Sequence, residues 1–187
     1  THSRNRLHPV LMAIVLHDLN LFAVEYLALN MRESDKSEVL GIWPHDDPLR
    51  FASEATHILR NYGRSQIAYI DGKPAALFGF SCHMKPKVYS VWMFGTDEFT
   101  KAIFPLMRWC RNAANDILSI EKAHRLQAES RADHHEAHKL IKAMGGVEEC
   151  RLEKWGKDGS DYLMFKWING VNDAILRPHY VQQKENA

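Results

Sequence analysis

The stretch from Ala123 to Trp167 narrows the possible folds more than any other part of this chain, because it reads as strand, helix, strand, turn, strand. HRLQAESRAD supplies the first strand and its exit. HHEAHKLIKAMGG follows as the helix. VEECRLEKWGKDGSDYLMFKW is then a hairpin turned at Lys157-Asp158-Gly159. The expectation is a mixed α/β domain.

The rest of the chain extends that reading. Residues 1–22 form an N-terminal extension. With Pro9 at a first helical position, Leu7, Val10, Leu11, Ile14 and Val15 share a face, so an amphipathic helix is expected there, packed on its own domain or acting as a docking arm. From Phe22, FAVEYLALNM reads as a first strand and RESDKSEVLGIW as the helix after it. LRFASEATHILRNYG reads as a second helix ended by Gly63, and SQIAYIDGKPAALFGF as a hairpin turned at Asp71-Gly72. KVYSVWMFG is the next strand. A central helix is expected from Pro105 to about Ile120, with Leu106, Met107, Cys110, Ala113, Ala114 and Ile117 on its apolar face. Residues 168–187 are a polar tail containing Pro178.

This order resembles the GCN5-related N-acetyltransferase (GNAT) fold over residues 23–167. In that family the penultimate helix carries N-x-x-A-x-x-x-Y-x-x-x-G-F. Laid on this chain, Ala137 and Gly145 take the Ala and Gly positions without a gap. His134 stands where the family has Asn, Ile141 where it has the Tyr that acts as general acid, and Gly146 where it has Phe. The resemblance implies a mostly antiparallel central sheet flanked by helices. NMRESDKSEV, the FGTDEF loop and HHEAHKLIKAMGG together resemble small proteins of short-tailed bacteriophages, of the internal virion protein A type, which are often labelled acetyltransferases. That resemblance implies a virion-associated or assembly component, found in the particle or in the host cytoplasm, whose partners are other phage proteins held through residues 1–22 and 168–187.

The family also implies where acetyl-CoA would bind. Its pyrophosphate lies on backbone N–H groups of a loop of the type Q/R-x-x-G-x-G/A at the start of the central helix. Here that loop is Gly95-Thr96-Asp97-Glu98-Phe99-Thr100-Lys101, with one glycine, no arginine and two adjacent carboxylates. Each carboxylate near a phosphate opposes binding by on the order of 1 kcal/mol. Gly95, Thr96, Thr100 and Lys101 are the candidate cofactor contacts. Pro105 in the first helical turn would remove one donor from this end. With Ile141 in the Tyr position, Tyr162, Tyr89, Glu129 and His134 are the candidates for proton transfer. The expectation is a degenerate cofactor site and no bound cofactor; the alternative is an active N-acetyltransferase using acetyl-CoA.

Other chemistry is weakly indicated. Lys plus Arg number 24 against 23 for Asp plus Glu, a formal charge of +1 that gives no global attraction to nucleic acid. The longest apolar run, Pro9 to Leu16, is far short of the roughly 20 residues that span a bilayer. Cys82, Cys110 and Cys150 have neither disulfide nor zinc-ribbon spacing. His134 and His138 are four apart, but no third metal ligand is indicated, and no metal is expected.

Overall fold

The computed structural model describes residues 13–168. Seven strands form one sheet in the order β1-β2-β3-β4-β5-β7-β6. They are β1 (Ile14–Asp18), β2 (Gly63–Ile70), β3 (Lys73–Lys85), β4 (Val88–Gly95), β5 (Arg125–Arg131), β6 (Val147–Leu152) and β7 (Tyr162–Ile168). All neighbours are antiparallel except β4 and β5, which run parallel. Five helices cover the sheet: α1 (Leu21–Leu29), α2 (Glu33–Gly41), α3 (Pro48–Tyr62), α4 (Phe99–Ser119) and α5 (His135–Ala143).

Strand alternation divides the core between the two faces. In β3, Leu77 packs with Val24, Leu27, Phe51 and Leu59 beneath α1 and α3. Its neighbours Ala76 and Phe78 point the other way, to Ala102, Leu106, Cys110 and Ile117 of α4. Phe51 is fully buried and meets Trp43 and Phe94 edge to face, with ring centroids 4.9 and 5.3 Å away. Truncating such a side chain to Ala typically costs about 3–5 kcal/mol.

The mixed α/β sheet follows the sequence expectation, and three local readings are corrected. Ile14 and Val15, expected on a helix, lie in β1, which pairs with β2 from Ile14↔Ile70 to Asp18↔Gln66. Residues 1–12 and 169–187 lie outside the described residues, and with them the remainder of the expected arm and tail. FAVEYLALNM is not a strand. It forms α1, started by Asn20, whose side chain accepts the Ala23 N–H at 2.9 Å. The central helix starts at Phe99, so Pro105 lies inside it and leaves the first-turn donors in place.

Candidate functional site

β4 and β5 pair over only three residues, Val88↔Arg125, Tyr89↔Leu126 and Ser90↔Gln127. Beyond Ser90 the strands part, because β5 continues on β7 while β4 continues on β3. The gap holds a cavity of about 170 Å³. α2 and the segment after it roof the cavity with Glu38, Ile42 and Trp43, and Ile141 of α5 and Trp92 of β4 also line it. The Ile141 position therefore faces the gap with a hydrocarbon side chain.

A polar clamp crosses the gap at the far ends of the strands. Asp35 of α2 is buried and accepts the Gly95 N–H, at the end of β4, at 2.9 Å. Arg32 Nε stands 2.8 Å from Asp35 Oδ1, off the line of its N–H and so in ion-pair contact. The Arg32 guanidinium also lies 4.2 Å from the centre of the Phe99 ring. One turn on, Glu38 Oε2 accepts from Ser130 Oγ at 3.0 Å and from the Arg131 N–H at 3.1 Å, and lies 2.6 Å from His134 Nδ1. His134 Nε2 is 3.8 Å from Asp35 Oδ1. α2 thus ties the end of β4 to the end of β5 and the start of α5.

Burial opposes charge throughout this clamp. It raises the pKa of Asp35 against the pull of Arg32. Burial also works against the imidazolium of His134, but the hydrogen bond and charge of Glu38 prevail and its pKa is raised. Sequence reasoning missed Arg32, Asp35 and Glu38. The signal was two carboxylates three apart on one face of RESDKSEV, where one helical step binds both to the same neighbours.

The turn from β4 into α4 satisfies most of its own backbone donors. The Thr96 N–H donates to Ala75 O at 2.9 Å, and the Phe99 N–H to Thr96 O at 2.9 Å. The Glu98 N–H donates to Thr96 Oγ1 at 3.2 Å, and the Lys101 N–H to Glu98 O at 3.0 Å. With the Gly95 N–H held by Asp35, the donors an anion would need are largely taken up within the chain. Lys101 pairs with Glu98. A Cβ on Gly95 would sit 2.5 Å from Ala75 O and 2.8 Å from Phe99 Cδ2, so close packing accounts for this glycine.

The candidate proton-transfer residues separate. Glu129 lines the cavity; burial raises its pKa, partly offset by the Trp155 indole N–H donating at 3.2 Å. His134 lies behind Glu38 in the clamp. Tyr162 is fully buried, with its hydroxyl donating to Glu38 O at 2.8 Å and its pKa pushed up to about 12, chiefly by burial. Tyr89 donates to Glu121 Oε2 at 2.5 Å. Thr100 and Lys101 are exposed on the first turn of α4, with Gly95 and Thr96 just before it. His138 is not paired with His134, since its Nε2 lies 2.9 Å from Arg131 O. Among the described residues no group of three His, Cys, Asp or Glu side chains is placed to hold a metal.

No protein-family model matches the sequence, and no curated protein matches it. Solved structures do match. Ribosomal-protein-alanine N-acetyltransferase from Brucella melitensis aligns with TM-score 0.63 and 14% identity over 82% of this chain and 99% of its own. Spermidine N-acetyltransferase from Vibrio cholerae, in complex with CoA and spermine, gives 0.60 and 15% over 83% and 95%. RimJ from Mycobacterium smegmatis, in complex with CoA-disulfide, gives 0.58 and 14% over 83% and 81%. The sheet and its helices have the GNAT fold.

Proposed function

We propose that this chain uses the GNAT scaffold as a structural or assembly component, of the kind a short-tailed bacteriophage carries in its particle, and that its acetyl-CoA site has degenerated. The observation that carries the reading is the largely self-satisfied turn at Gly95–Lys101, where Asp35 takes the Gly95 N–H and the N–H groups of Thr96, Glu98, Phe99 and Lys101 bond within the chain. A pyrophosphate placed there would have to displace these bonds to gain donors beyond the Asp97 and Thr100 N–H groups, and would approach Asp35, Asp97 and Glu98. In this reading, partner proteins are held through residues 1–22 and 168–187, in the virion or in the host cytoplasm. No helix among the described residues is long and apolar enough to cross a membrane.

The cavity between β4 and β5 favours a second reading, an acetyl-CoA-dependent N-acetyltransferase. Glu129 lines that cavity, and Thr96 and Thr100 flank the helix start. The CoA-bound states of the Vibrio and Mycobacterium proteins make acetyl-CoA the natural probe. Isothermal titration at low salt with acetyl-CoA, and with coenzyme A as control, separates the two. The scaffold reading expects no heat and no thermal stabilisation at millimolar ligand. Micromolar binding, about −8 kcal/mol, would overturn it, as would acetyl transfer that Thr96 or Thr100 substitutions abolish.

A further inference from the structure

We propose that the outer face of α1 is a docking surface for the chain's own residues 7–12, with Leu7, Val10 and Leu11 seated on Phe22, Tyr26 and Leu29, and with Arg4 and Arg6 turned toward Glu25. Such seating is independent of whether the fold holds coenzyme A. A partner held through residues 1–22 would then meet a seated layer instead of a free arm.

The surface itself is the first observation. α1 is apolar on two sides. Ala23, Val24, Leu27 and Ala28 are buried, packed with residues of α3 and the sheet. Phe22, Tyr26 and Leu29 are 83, 38 and 60% exposed, at spacings of four and three that set them in one row along the helix. Single exposed apolar side chains are ordinary, but a helix that is apolar all round belongs in an interior. The row therefore calls for a cover.

The second observation is where residues 1–12 join the fold. Ala13 is fixed to the β2–β3 turn, its N–H donating to Asp71 Oδ1 at 3.1 Å and its carbonyl accepting the Asp71 N–H at 3.0 Å. The start of α1 is tied to the same end of β2, where Asn20 Nδ2 donates to Tyr69 Oη at 3.2 Å. Ile14 and Leu16 pack toward α4, so Val15 between them points to the face that α1 covers, and it is exposed. A chain turning back from Ala13 over Val15 comes to α1. Residues 7–12 reach up to about 20 Å, whereas the row from Phe22 to Leu29 is about 10 Å long.

The third is complementarity. Residues 7–12 read LHPVLM, mostly apolar, and Arg4 and Arg6 stand just before them. On α1, Glu25 lies in the same row, three residues after Phe22 and four before Leu29. Exposed ion pairs add little energy, but they set which way a segment lies. Direct attachment at Ala13 also gives the segment an effective concentration on the order of millimolar, which favours it over a separate chain.

The test uses the full chain. Nuclear Overhauser contacts should join Leu7, Val10 or Leu11 to Phe22, Tyr26 or Leu29, and should persist on dilution. Native trypsin should cut after Arg6 about tenfold faster in the double variant Phe22→Ser with Leu29→Ser, because the protease needs the residues beyond the cut released. Glu25→Lys should speed the same cut by a smaller factor. Unchanged hydrogen exchange at the buried β3 amides checks that the core is intact in these variants. Contacts found only between differently labelled copies would assign the row to a second copy. A row fully open to a soluble paramagnetic probe would leave it to a separate partner. Either result overturns the proposal, as does an Arg6 cut equally fast in wild type and double variant. The contact and probe measurements need no variant to fold.

Discussion

Asp35→Ala is the sharpest test of the clamp that α2 makes across the splayed strands. Asp35 is 3% exposed, and the Arg32 side chain beside it 17%. Alanine would strand the Arg32 charge near the Phe99 ring and take the acceptor from the Gly95 N–H. Breaking a buried pair from one side costs about 3–5 kcal/mol, and an orphaned buried N–H about 1–3 kcal/mol. Both losses arise from one carboxylate, so about 3–5 kcal/mol is expected in total. At this chain length each kcal/mol lowers the melting temperature by about 2–4 °C, giving a drop of roughly 6–20 °C. Urea unfolding and thermal melts read it directly. The double change Arg32→Met with Asp35→Leu removes both charges and should recover about 2 kcal/mol or more of the loss. A single-variant loss under about 1 kcal/mol, or a double variant as unstable as the single, would refute the argument.

Stability should depend on pH through His134. Its folded pKa is raised, so its contribution is complete below the unfolded value of about 6.5 and is lost as pH climbs through the raised value. The urea midpoint of the wild type relative to His134→Gln should therefore shrink above about pH 6.5; a growing difference would reverse the assignment. Arg32, Asp35 and Glu38 also face this ring, while His138, depressed by burial, acts in the opposite window below that pH. Gly95→Ala should cost about 1–3 kcal/mol in urea unfolding because its Cβ meets Ala75 O at 2.5 Å, and a neutral result would show that the turn can relax. Tyr162→Phe should lose about 0.5–1.5 kcal/mol for the bond to Glu38 O, with the cavity intact by the Trp92 signal. In a native thiol assay exposed Cys150 should react fast, half-buried Cys82 more slowly, and buried Cys110, whose thiol pKa burial raises, only on unfolding; a native phase that survives Cys82→Ser with Cys150→Ser contradicts this.

The elements that were legible in the sequence have one clear period and a marked end. α3 runs from an Asp47 cap and Pro48 to a stop at Gly63, and β2–β3 turns at Asp71-Gly72. α1 was misread because it is apolar on nearly every side, so no 3.6-residue stripe distinguishes it from a buried strand; only Asn20 marks its start. Pro105 misled for a related reason. Proline favours a first turn, but the apolar face continues through it from Phe99 and Ala102 to Leu106, and that packing outweighs one missing bond. At the site, the motif alignment singled out Ile141, and the fold sets it in the lining of the gap. The clamp did not show, because Asp35 and Glu38 look like ordinary solvated acids until the topology brings Gly95, Ser130 and His134 to them.

The three-residue seam between β4 and β5 has a mechanical consequence. A sheet stitched along its full length bends as one plate, whereas this one consists of two leaves, β1–β4 and β5 with β7 and β6, bound at one edge. α4 braces both leaves across one face of the sheet, and at the end farthest from the seam α2 ties them again through Asp35 and Glu38. A displacement of α2 would therefore act on the ends of β4 and β5 together.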